Sequence, residues 1–99
     1  MELIKGINSS LKKKGLKIST AESCTAGYIS KLLTSIPGSS ECFEGSIVAY
    51  SNNIKIEVLG VQPSTIDKYT EASAEVAIEM AERVKEIMKT GTQSLQLAI

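Results

Sequence analysis

Ser23 and Cys24 stand side by side in the run Thr20-Ala21-Glu22-Ser23-Cys24-Thr25-Ala26-Gly27, and both carry nucleophilic side chains. The run follows a short apolar stretch, Leu16 to Ser19, and precedes a helical pattern from about Ala21 to Thr34, with Thr20 as N-cap and Glu22 in the first turn. Backbone N–H groups at such a helix start carry partial positive charge and favour a nucleophile or bound anion there. The chain holds no histidine, so a serine nucleophile needs another proton acceptor, and lysine is the main candidate. Lys55 follows the second strand pattern closely, which puts it beside Ser23 at the carboxyl ends of neighbouring strands, where open parallel sheets bind ligands. Burial disfavours the charged form of an amine, so a lysine in that crevice can accept the serine proton. The resulting alkoxide would attack an amide carbonyl and expel ammonia. Tyr50 stands at the strand end, placed either to hydrogen-bond this pair or simply to pack.

Other readings of the same residues are plainer. Ser23 can be an ordinary first-turn residue and Lys55 a solvated lysine. Cys24 is a rival nucleophile, but helical neighbours point about 100° apart, so one of the two would face the crevice. Without an adjacent base Cys24 reads as a small buried hydrophobe. The absence of histidine excludes Ser-His-Asp and Cys-His arrangements, and two cysteines without CxxC spacing make a poor metal site. No Walker-type loop or GxGxxG is present. Ser9-x-x-Lys12, Ser51-x-Asn53 and Lys89-Thr90-Gly91 imitate the three motifs of serine β-lactamases. Ser9 lies on a surface helix and Lys89-Thr90-Gly91 at a helix end, so these are coincidences.

The elements that must position the pair can be read from pattern. Leu3, Ile4, Ile7 and Leu11 recur at helical spacing, with Lys12-Lys13-Lys14 suiting the helix C-terminus and Gly15 stopping it. Ile36-Pro37-Gly38-Ser39-Ser40 is a loop, and Gly45 to Tyr50 reads as a strand. Ser51-Asn52 caps a short helix carrying Lys55 and ending at Gly60, and Pro63 starts another turn over Ser64 to Tyr69. Ser73 caps the clearest helix, with Val76, Ala77, Met80, Ala81, Val84, Ile87 and Met88 on one face and Lys89 and Gly91 closing it. Leu95, Leu97 and Ile99 start a third strand. Strands alternating with helices imply an α/β fold whose mainly parallel sheet is covered on both faces.

At 99 residues the chain is one domain with a modest core. Eleven basic residues balance eleven acidic ones, which gives no field toward nucleic acid or an anionic membrane. Tyr28, Phe43, Tyr50 and Tyr69 are too scattered to form a base-stacking platform. No apolar run approaches membrane-spanning length, and the first residues lack the apolar core of a signal peptide. A cytoplasmic protein with reduced thiols is expected.

The run Thr20 to Gly27 resembles the signature of the CinA C-terminal domain family, the competence/damage-inducible, CinA-like nicotinamide-nucleotide amidases. Further segments agree in order and spacing: Leu33-Thr34-Ser35-Ile36-Pro37-Gly38-Ser39-Ser40, then Val48-Ala49-Tyr50-Ser51-Asn52 leading to Lys55, then Leu59-Gly60-Val61, and Ala72-Ser73-x-x-Val76-Ala77-x-x-Met80-Ala81. The resemblance covers nearly all of residues 1–99 and implies a three-layer α/β/α domain. It implies hydrolysis of nicotinamide mononucleotide to nicotinate mononucleotide and ammonia, in pyridine-nucleotide salvage, with no metal or organic cofactor. Ser23 takes the place of the family's serine nucleophile, Lys55 that of its catalytic lysine and Tyr50 that of its nearby tyrosine. Substrate contacts are expected at Thr25, Asn52, Ser39 and Ser40, the last two meeting the phosphate.

Two residues depart from the family pattern: Ala26 and Thr70 stand where glycine is common; Ala26 would trim backbone freedom near the nucleophile, and Thr70 would strain its turn if its φ is positive. Members of the family also continue beyond the segment matching Leu95 to Ile99, so the chain corresponds to roughly the first three-fifths of the domain. The expected partner is a small-molecule nucleotide, not nucleic acid or membrane. Bared strand edge and apolar helix faces would favour a homo-oligomer. The competing expectation is an inactive fragment that binds nucleotide or self-associates.

Overall fold

The apolar residues of the first helix, α1 (Glu2–Lys14), turn Ile7 and Leu11 inward, while Leu3 faces solvent. Three lysines occupy its last turn, where positive charge meets the helix dipole. Gly15, at φ +65°, reverses the chain, and Leu16 N–H donates back to the Leu11 carbonyl at 2.9 Å. This computed structural model describes residues 2–88, together with the backbone of residues 94–98. Lys89, Gly91 and Ile99, which were expected to close a helix and extend a strand, lie outside the described residues.

The chain then alternates: β1 (Lys17–Glu22), α2 (Tyr28–Thr34), β2 (Phe43–Val48), α3 (Asn52–Ile54) running into a π-helical turn (Lys55–Leu59), α4 (Pro63–Tyr69), α5 (Ala74–Met88) and β3 (Ser94–Ala98). The three strands form a parallel sheet in the order β2-β1-β3. Thr20 pairs with Ser46 on one side and Leu97 on the other. A register shift between Ile18 and Ser19 offsets the β1–β2 ladder.

β1 is therefore the central strand, buried from Ile18 to Glu22. One face of the sheet packs Ile18 and Phe43 against Leu11 of α1 and Leu33 of α2. The other packs Ala21 and Ile47 against Val76, Met80 and Val84 of α5, with Leu59, Val61 and Ile66 completing that core. Helices thus cover both faces, and the expected three-layer α/β/α arrangement with a parallel sheet is observed.

Several boundaries differ from the sequence expectation. β1 runs on to Glu22, and α2 starts at Tyr28 rather than near Ala21. Thr20 is accordingly a strand residue and not an N-cap. β2 occupies Phe43–Val48 rather than Gly45 to Tyr50.

Candidate functional site

Glu22 accounts for the shifted helix start. Its side chain is 1% exposed, a position that a carboxylate holds only with dense hydrogen bonding. Oε1 accepts from Thr25 Oγ1 (2.8 Å), Gly27 N–H (3.1 Å) and Ile29 N–H (3.0 Å). Oε2 accepts from Ser30 N–H (3.0 Å), from the Ser30 hydroxyl and from Ser46 Oγ (3.3 Å). Thr20 Oγ1 donates in turn to Ser46 Oγ at 2.7 Å. Burial alone would raise the Glu22 carboxyl. The bonds from Ser30 and Thr25 hydroxyls and from the N–H groups of Ile29 and Ser30 outweigh it and hold the group below its ordinary value.

This carboxylate caps α2 from the end of β1, so the first N–H groups of α2 point at Glu22 and not at Ser23. The expectation that a helix N-terminus stabilises the nucleophile is corrected accordingly. Ser23 and Cys24 sit instead in the tight turn that joins β1 to α2. Ala26 N–H closes that turn on the Ser23 carbonyl at 3.1 Å, and Ala26 (φ +50°) and Gly27 (φ +95°) carry the chain into α2.

Lys55 is placed by the segment after β2. Ser51 Oγ accepts from Ile54 N–H at 3.1 Å, the N-cap expected from sequence. One residue later the helix widens into the π turn, which directs both Lys55 and Leu59 inward, and Gly60 ends it at φ +89°. The Lys55 side chain is 2% exposed, so it is not a solvated lysine. Its Nζ donates to the Tyr50 carbonyl at 3.2 Å, and no carboxylate pairs with it among the described residues. Tyr50 therefore serves Lys55 through its backbone carbonyl, while the residue as a whole is 71% exposed.

These residues meet in one cavity of about 570 Å³ at the carboxyl ends of β1 and β2. Ser23, Cys24, Tyr50, Asn52 and Lys55 all line it. No hydrogen bond joins Ser23 to Lys55, whose Nζ is turned to the Tyr50 carbonyl. Cys24 is an exposed free thiol, contrary to the reading of it as a buried hydrophobe; Cys42 is the buried one.

Three expected substrate contacts are not brought here. The Thr25 hydroxyl is committed to Glu22. Ser39 and Ser40 lie in a 3₁₀ turn ahead of β2, at the amino ends of the strands and the opposite end of the sheet. In their place the cavity receives Glu71, Ala72 and Ser73 from the turn before α5, and Ala77 and Met80 from α5 itself. Ala72-Ser73 and Ala77-x-x-Met80 lie in the motif already noted, which was the one available signal; nothing in the spacing pointed to Glu71.

The sequence profile of the CinA C-terminal domain matches residues 1–93. The chain belongs to that family. A putative competence-damage inducible protein of Acetivibrio thermocellus is 52% identical over 75 residues, which is 76% of this chain and 18% of that protein. A CinA-like protein of Pseudothermotoga lettingae is 50% identical over 80 residues, covering 81% of this chain and 20% of its own length. Among solved structures, the competence or damage-inducible protein of Enterobacter asburiae superimposes with a TM-score of 0.87 at 35% identity, over 90% of this chain and 56% of that one. The competence/damage inducible protein CihA of Agrobacterium tumefaciens gives 0.82 at 37% identity, over 87% and 52%. The chain thus spans about a fifth of the curated relatives and about half of the solved chains. Among the described residues no helix is long and apolar enough to cross a membrane.

Proposed function

We propose that this CinA-family domain is an amidohydrolase that converts nicotinamide mononucleotide to nicotinate mononucleotide and ammonia through Ser23 and Lys55. The observation that carries the reading is the meeting of Ser23 with a buried, carboxylate-free lysine in one cavity beyond the sheet. With no carboxylate beside it among the described residues, the Lys55 Nζ is free to leave the Tyr50 carbonyl for the serine hydroxyl.

In this scheme Lys55 Nζ turns from the Tyr50 carbonyl toward Ser23, which lines the same cavity. Ser23 Oγ attacks the carboxamide carbon as its proton moves to Nζ. The oxyanion formed is met by the N–H of Cys24, a cavity-lining residue whose N–H finds no acceptor among the described residues. Lys55 then returns the proton to the leaving nitrogen, so that ammonia departs and the acyl group stays on Ser23 as an ester. Water, deprotonated by the same amine, hydrolyses the ester and restores the serine.

Ammonia release from nicotinamide mononucleotide tests this. Ser23→Ala and Lys55→Met are each expected to lower the rate by at least about a thousandfold, the scale on which removal of nucleophile or base acts. Full release by Ser23→Ala would end the reading. The bond from Lys55 Nζ to the Tyr50 carbonyl, in place of one to Ser23, favours a second reading, a site that binds the nucleotide without turning it over. Calorimetric binding with no ammonia from the unaltered chain would support that reading instead.

A further inference from the structure

Glu71 is the one acidic side chain among the described residues that line the cavity. It is exposed, and no described residue gives it a hydrogen bond or an ion pair. Its turn is held in place: Ser73 Oγ donates to the Thr70 carbonyl at 2.8 Å, and Thr70 keeps a positive φ of 72° immediately before Glu71.

Exposure orders the lining by depth. Lys55 and Met80 are buried at the base, Ser23 and Ala77 are half-buried, and Tyr50, Asn52 and Glu71 stand at the mouth. A carboxamide at Ser23 lies inside, and any bulky substituent on its ring must leave through the mouth. In an N-substituted pyridine-3-carboxamide that substituent is on the ring nitrogen, which carries the positive charge. The charge therefore comes to rest at the mouth, beside an unneutralised carboxylate and the exposed face of Tyr50, both of which attract a cation.

We propose that Glu71 is a specificity-determining residue that selects amides borne on a cationic aromatic ring over neutral ones of the same outline. This rests on the amide reading of the cavity. Oxidised and reduced nicotinamide mononucleotide make the comparison, since they share carboxamide, ribose and phosphate and differ in ring charge.

Calorimetry in a Ser23→Ala background, where neither ligand is consumed, gives the ratio of the two affinities. The expected ratio is about tenfold in favour of the oxidised form at low salt, falling as salt screens the pair. Glu71→Gln brings the ratio to within about twofold of one, and Glu71→Lys turns it toward the neutral form. An undiminished ratio in Glu71→Gln overturns the inference and leaves the amidase reading in place. A ratio near one in the Ser23→Ala parent also overturns it. If the ratio collapses in Glu71→Gln while the unaltered chain releases no ammonia from either form, the proposed reaction falls and cation selection stands as a property of a binding site.

Discussion

At the scale of single residues, Glu22 decides more of the local structure than any apolar side chain near it. It gathers strand end, turn and helix start around one carboxylate, and so fixes where Ser23 and Cys24 can stand. Its folded-state value lies below the ordinary one near 4.5, so folding favours the ionised form. That contribution is complete above about 4.5 and is lost as pH falls through the folded-state value. Urea titrations should show the Glu22 share of stability intact from neutral pH down to that point and falling below it. Glu22→Gln should remove that part of the acid dependence and cost about 1–3 kcal/mol at neutral pH, because an amide sets a donor against donors. The sequence showed the residue and its position but assigned it to a helix. Acid in a first helical turn is a common local pattern, and a carboxylate capping the next element from a strand leaves no local trace.

At the scale of elements, the pieces that were legible carry their own punctuation. Gly15 after three lysines, Pro63 at the first helical position, where its missing N–H leaves no orphan donor, and Ser51 and Ser73 as caps are each settled within four residues, and each is found as read. β1 was harder because its sequence, Lys-Ile-Ser-Thr-Ala-Glu, is polar for a strand buried on both faces. Hydrogen bonds among Thr20, Ser30, Ser46 and Glu22 take the place of apolar packing there. The departures from glycine were informative: Ala26 and Thr70 both adopt positive φ. Thr70 ends α4 at φ 72° and ψ 159°, a region otherwise nearly reserved for glycine. Thr70→Gly should therefore stabilise the chain by about 1–2 kcal/mol, read as a raised urea midpoint with unchanged slope. An unchanged or lowered midpoint would mean that the turn is not strained.

At the scale of the whole molecule, a parallel sheet with helices on both faces puts every strand-to-helix turn after β1 and β2 at one end. This is why Ser23, far off in sequence, shares a cavity with Tyr50, Asn52 and Lys55 while Ser39 and Ser40 do not. Pattern gave the layers; it did not show that Ser39 and Ser40 lie at the end of the sheet away from the cavity, because two serines in a loop carry no sign of direction. β2 has no strand partner on its outer side among the described residues, and Tyr28, Val48 and Tyr50 are exposed near the carboxyl end of that edge. A row of unpaired backbone groups beside apolar side chains favours association. Sedimentation at micromolar concentration should give a mass above that of one chain, falling to one chain when Val48 and Tyr28 are both replaced by lysine. A single-chain mass for the unaltered protein would contradict this.

In the proposed reaction Ser23, and not its cavity neighbour Cys24, becomes acylated. Acid quenching during turnover of nicotinamide mononucleotide, followed by peptide mass mapping, measures this directly. The expected product is a nicotinate mononucleotide ester on Ser23, absent in Ser23→Ala and present in Cys24→Ala. An acyl group on Cys24, with ammonia release persisting in Ser23→Ala, would contradict it.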